Sequence, residues 1–243
     1  MSLISSKKQY DKLISFGCSF TAGGTFTEGG SWGNFLSNKL GCKCEHNGGV
    51  GSSNYMIMTH VINYCETHDM TNICVGIQWS QLIRRELFDN KTGYYTTFVA
   101  SALYDDYNDP NVSLKFFKDN KEYFISLWFD NREMVIRTIH SMIMAQNYLK
   151  SKNIDYIMFE GIGSIMDIDF NENDIKVKNL SLLKNENKVK LYNDISFFNE
   201  LGDMKSYMQK HPDYSNDLNS GHPTTFIQEL WGNHLYNYIL NKS

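Results

Sequence analysis

Three short strand-like runs, each ending in a polar, small-residue stretch, constrain this chain more than any other feature. Leu13 to Phe16 leads into "GCSFTAGG". Cys42 to His46 leads into "NGGVGSSN", and "NICVGIQWS", residues 72 to 80, carries Ile73, Val75 and Ile77 on one side before "QWSQ". Helical spacing separates the runs. Trp32, Phe35, Leu36 and Leu40 follow the first, with Gly41 as a stop, and Met56, Ile57, Val61 and Tyr64 follow the second. Strands alternating with helices predict a mostly parallel sheet covered on both faces, in a single α/β domain. Such sheets place their sites at the carboxyl ends of strands. All three polar stretches fall there.

The rest of the chain completes the pattern. Residues 84–129 are aromatic and irregular and read as an insertion that could lie over a site. Asp130 and Glu133 suggest a capping-box start. Val135, Ile139, Met142, Ile143 and Leu149 then give a long amphipathic helix. Ile154 to Phe159 reads as a further strand, ended by Gly161-Ile162-Gly163. Residues 164–215 are polar and read as loops and small helices. Thr225 with Gln228 suggests a second capping box, before a last helix with Ile227, Leu230, Trp231, Leu235, Tyr238 and Ile239 on its apolar face.

Composition excludes several function classes. The 243 residues are 42% hydrophobic and 21% charged, with a net charge of -4. There is no basic excess to hold a nucleic acid backbone. No apolar run reaches the length of a membrane span, and the N-terminal stretch lacks the apolar core of a signal peptide. The five cysteines (Cys18, Cys42, Cys44, Cys65, Cys74) form no even framework and read as reduced thiols in a cytoplasmic setting. The Asn-x-Ser sequons at Asn111 and Asn179 carry little weight without secretion.

The three strand ends also carry the candidate chemistry. A serine hydroxyl becomes a nucleophile only when a base takes its proton and when donors meet the oxyanion that forms. Ser19 stands in such a strand-end turn; a turn serine bonding its own backbone is the alternative. Gly51 can present its N–H to an anion with no side chain in the way. Asn54 is suited to polar contacts or to capping the next helix. Ser80 or Gln78 could donate to an oxyanion, while Trp79 either packs or lines the site. His222, in a Gly-Pro-marked loop before the last helix, is the candidate base, with His211 as its competitor. His60, His140 and His234 fall within helical patterns.

Together, "FGCSFTAGG", "GVGSSN", the polar end of the third strand and a C-terminal His-Pro resemble the SGNH (GDSL-like) hydrolase family, in order and spacing over nearly the whole chain. The resemblance implies a flavodoxin-like three-layer α/β/α sandwich. It implies a serine esterase acting on a small ester or an acylated carbohydrate, without a metal or organic cofactor. By position, Ser19 resembles the nucleophile, Gly51 the oxyanion glycine and His222 the base. Three positions depart from the family. Cys18 stands where an acid is usual. Ser80 or Gln78 stands where an asparagine donor is usual, and loss of one such donor costs about two to three powers of ten in rate. Asn219 stands where the acid partner of the histidine is usual, with Asp217 two residues further back. In a serine protease that exchange costs about four powers of ten.

Other patterns point less far. Cys42-x-Cys44-x-His46 has the wrong spacing for zinc. Arg84-Arg85-Glu86 reads as a structural pair rather than a site-edge cation, and the methionines as core filling. The rival readings are a non-catalytic binding or structural relative of the same fold, and a flavodoxin-like domain binding a nucleotide or flavin. The second lacks a complete phosphate-binding motif. The Asn-, Lys-, Tyr- and Ile-rich composition and the eroded motifs suit a phage or bacterial source, with virion association as the alternative to a cytoplasmic location.

Overall fold

The computed structural model describes residues 4–22, 30–82, 84–89, 94–99, 119–120, 122–123, 131–168, 185–195, 202–211 and 222–242. Its centre is a four-stranded parallel sheet. The strands are β1 (Lys12–Gly17), β2 (Lys43–Gly48), β3 (Ile73–Trp79) and a last strand after the long helix, Asp155–Glu160. The order is β2, β1, β3, last strand, with Leu13 opposite Cys44 on one side and Cys74 on the other. Residues 13 to 17 of β1 and 74 to 79 of β3 are buried on both faces. That is why these strands read as apolar runs rather than alternating ones. β2 lies at the edge and is only half-buried, and its sequence, KCEHNG, is accordingly polar.

Helices cover both faces, as the alternation predicts. On one side lie α1 (Trp32–Leu40) and the C-terminal helix Thr225–Lys242. On the other lie α2 (Asn54–Thr67) and α3 (Asn131–Ser151). Trp32 packs edge-on to Phe159, with ring centroids 4.9 Å apart, and Phe159 meets Trp231 at 5.2 Å. Phe16 meets Tyr64 of α2 on the opposite face at 5.6 Å. Trp32, Trp79 and Trp231 are fully buried. Aromatic pairs of this kind stabilise by about 0.5–1.5 kcal/mol beyond their buried area. No helix among the described residues is long and apolar enough to cross a membrane.

Two expectations change. Part of the stretch read as irregular forms an antiparallel pair, β4 (Arg84–Asp89) and β5 (Tyr94–Val99), in register from Arg84↔Val99 to Asp89↔Tyr94; the last sheet strand is therefore β6. The C-terminal helix is capped one residue earlier than expected. The Thr224 hydroxyl accepts from Ile227 N at 3.4 Å, and Gln228 turns its amide to other elements. The polar region after β6 holds α4 (Asn185–Asn193) and α5 (Met204–Gln209), making the C-terminal helix α6. Asp130 lies outside the described residues.

From β1 the chain passes to β2 on one side and then to β3 on the other. The order therefore reverses between β1 and β3. A cleft opens at the carboxyl ends of the strands where such a reversal occurs. Ser19 follows β1 and Ser80 follows β3, so the two candidates flank that point.

Candidate active site

Gly17 ends β1, and the next residues close a tight turn. Thr21 N donates to Cys18 O at 2.9 Å and Ala22 N to the same oxygen at 3.2 Å. Ser19 sits in this turn, nearly buried. The turn is fastened from below. Thr21 Oγ1 donates to Gln78 Oε1 at 2.6 Å and accepts from Trp32 Nε1 at 3.1 Å. Gln228 of α6 donates to Phe20 O at 3.0 Å and accepts from Trp32 N at 2.9 Å. Every partner in this network is buried, so breaking any one of these bonds would leave a polar group unmet.

His222 comes from the loop before α6 on the same face. Its Nε2 lies 2.9 Å from Ser19 Oγ, within reach for proton transfer. Its ring meets Phe20 edge-on, with centroids 5.6 Å apart. His211 instead lies against Tyr207, 5.1 Å between centroids. His234 packs on Tyr207 and Trp231, and His140 is exposed. Asn219 and Asp217 lie outside the described residues.

The loop after β2 lies directly on the serine turn. A Cβ added at Gly48 would come 2.6 Å from Ala22 N, so only glycine permits that approach. Gly49 N donates to Gly17 O at 3.0 Å, and Ser52 N returns to Gly49 O at 3.1 Å. Gly51 has φ +77°, and no atom lies within 4 Å of an added Cβ. Its backbone conformation is one that disfavours other residues.

At the end of β3 the two oxyanion candidates differ sharply. Gln78 is fully buried, its Oε1 held by Thr21 and its Nε2 set 3.4 Å from Cys18 Sγ. Cys18, where the family carries an acid, is thus a buried partner of this amide. Ser80 is different: its Oγ is buried and has no hydrogen-bond partner among the described residues. Buried hydroxyls in that condition are uncommon and call for an explanation.

Asn54 explains how Ser80 is held. Its Oδ1 accepts from Ser80 N at 2.7 Å, and its Nδ2 donates to Ser80 O at 3.2 Å and to Thr138 Oγ1 at 3.1 Å. Asn54, read as suited to polar contacts or to capping, places its amide on the β3-end loop. Trp79, read as either packing or lining the site, is completely buried.

Sequence reasoning missed the contacts that join these loops. Arg84 donates to Ser52 O at 3.3 Å. Ser53 Oγ donates to Glu86 Oε2 at 2.5 Å, and Arg137 of α3 pairs with Glu86 Oε1. The Arg84-Arg85-Glu86 run was the visible signal, and its structural reading fits this arrangement. His46, the last member of the Cys-x-Cys-x-His run, places Nδ1 2.9 Å from Ser15 Oγ and 3.3 Å from Ser31 Oγ. Burial holds its pKa below the usual histidine value.

No protein-family model matches the chain, and no curated protein is similar to it. Solved structures of similar shape carry hydrolase names. A protein named as an acylhydrolase from Bacteroides fragilis is 13% identical, covering 99% of this chain and 91% of its own, with a TM-score of 0.46. The lipase/acylhydrolase from Enterococcus faecalis is 12% identical over 95% of this chain and 96% of its own, with a TM-score of 0.44. A protein named as a GDSL-like lipase from Parabacteroides merdae is 12% identical over 99% of this chain and all of its own, with a TM-score of 0.47.

Proposed function

We propose that this protein is a serine hydrolase of the SGNH kind, an esterase that removes an acyl or acetyl group from a carbohydrate or small molecule. The observation that carries this reading is the 2.9 Å approach of His222 Nε2 to Ser19 Oγ at the switch point of a parallel sheet. Two residues more than two hundred positions apart meet at the atoms that nucleophilic catalysis requires.

In this reading Ser19 Oγ attacks the ester carbonyl while His222 Nε2 takes its proton. The same imidazolium then protonates the leaving alkoxide as the tetrahedral intermediate collapses to an acyl-enzyme. Water, deprotonated by His222, attacks the acyl-enzyme and releases the acid, and the proton returns to Ser19. Asn219 or Asp217 orients the imidazole. The Gly51 N–H and the Ser80 hydroxyl hold the oxyanion. Gln78 drops out of that role because its amide is committed to Thr21 and Cys18. What supports Ser80 in this role is its place after β3 and a hydroxyl with no other partner among the described residues.

The test uses a fluorophosphonate probe and p-nitrophenyl acetate on the wild type, Ser19→Ala and His222→Ala. Covalent labelling and turnover in the wild type, both lost in the two variants, are expected. A folded wild-type protein that takes up no label and releases no p-nitrophenol would overturn the reading in favour of a binding or structural role for the same fold.

A further inference from the structure

Gly51 depends for its orientation on what holds its neighbours. Toward the N-terminus, Gly49 is tied to β1 through Gly17. Toward the C-terminus, Ser52 and Ser53 are held from outside the sheet. Arg84 takes the Ser52 carbonyl, and Glu86 takes the Ser53 hydroxyl. Ser53 Oγ also accepts from Met56 N at 3.2 Å, capping α2. Its hydroxyl is therefore used in both directions, and its position fixes the first turn of α2 and the end of the glycine loop together.

Glu86 is the anchor of this arrangement. Its side chain is 3% exposed, an environment that a carboxylate tolerates only when paired and hydrogen-bonded. One oxygen meets the Arg137 guanidinium and the other meets Ser53. Arg137 lies on α3 and stacks over Tyr55, 5.3 Å from the ring centroid. The chain of contacts thus runs from α3 through the β4 strand to the glycine loop. Asn54, the next residue, extends it to Ser80. Both proposed oxyanion donors, Gly51 and Ser80, are set by one braced segment, residues 52–54.

We infer that Glu86 is a positioning residue, which acts through Ser53 to fix the Gly51 N–H for the oxyanion and makes the β4–β5 hairpin part of the catalytic frame. The inference rests on the esterase reading above. It assigns Glu86 no contact with substrate.

Steady-state kinetics with p-nitrophenyl acetate on the full-length chain test it. Ser53→Ala removes the hydroxyl but leaves the Glu86–Arg137 pair intact. Glu86→Gln removes the charge, and Ser53→Thr restores the hydroxyl. Ile239→Val, in the buried face of α6, controls for lost stability. The expected result is a fall in kcat of roughly 10- to 100-fold for Ser53→Ala and Glu86→Gln, the scale at which slight misplacement of a reacting group is felt. KM should stay near wild type, Ser53→Thr should recover kcat, and Ile239→Val should keep it well below its melting temperature. Folding of each variant is checked by circular dichroism, and Ser53→Ala stands in if Glu86→Gln does not fold. An active wild type whose kcat survives Ser53→Ala or a folded Glu86→Gln overturns this inference alone. An inert, unlabelled wild type overturns it together with the esterase reading.

Discussion

Two neighbouring polar residues at the end of β3 illustrate how opposite the roles of buried side chains can be. The Gln78 side chain satisfies Thr21, whereas the Ser80 hydroxyl meets nothing among the described residues. Gln78→Leu should therefore destabilise by about 1–3 kcal/mol, because the Thr21 hydroxyl loses its acceptor in a buried site; urea unfolding would measure it. Ser80→Ala should leave stability unchanged or slightly raised, since it removes an unmet hydroxyl, yet lower kcat by roughly a hundredfold. A drop in stability without a drop in kcat would assign Ser80 a purely structural place. Glu160 offers a pH signature. Burial pushes its pKa up to about 7, and the Asp203 carboxylate adds to the rise, while Ile165 N and the Tyr192 hydroxyl oppose it. The native state then holds a proton that the unfolded chain releases at its ordinary carboxyl value of 4.5. Stability from this group is full below that value and is lost as pH rises to about 7. His46 and His60, both depressed by burial, act with the opposite sign. The difference between wild type and Glu160→Gln isolates the carboxyl: denaturant midpoints measured from pH 4 to 8 should fall more steeply in the wild type.

Among the elements, legibility followed locality. β1, α1, α2, β3 and α6 were readable because burial on both faces of a strand, or on one face of a helix, writes itself into consecutive residues. Edge strand β2 was read two residues short, since its polar end, Asn47-Gly48, owes its extended form to pairing with Phe16 and Gly17. The β4–β5 pair went unseen because its ladder is formed between strands, not within either. Ser19 and His222 were legible as strand-end and pre-helix residues. The clamps Asn54–Ser80 and Ser53–Glu86 were not, as each joins residues 26 or 33 positions apart through side chains that are common in loops. The Thr224 cap was misplaced by one position because Gln228, which completes a capping pattern on paper, is drawn away to Trp32 and Phe20. Gly48 sits where two elements meet. Gly48→Ala would press a methyl group into the backbone of the serine turn, and overpacking of this kind costs about 1–3 kcal/mol. Because the atom displaced is Ala22 N, the rate of fluorophosphonate labelling should fall more than stability does, when both are compared with Ile239→Val.

At the scale of the whole molecule, the two halves of the proposed chemistry hang from strands of unequal security. β1 is laddered to β2 on one side and to β3 on the other, whereas β2 has β1 alone among the described strands. The serine is therefore moored at the middle of the sheet and Gly51 at its hem. Strands paired on one side open at lower free energy than central ones. Failure on warming should thus have an order. Turnover should fade first, as the hem loosens and the oxyanion donor drifts, while the far-ultraviolet signal of the sheet and helices persists. An inactivation midpoint that coincides with the unfolding midpoint, followed in one sample by both readouts, would show instead that the brace from α3 keeps hem and centre together until the end. Either way, a thermal assay of activity reports on alignment of the strand ends, and a melting curve reports on the sheet.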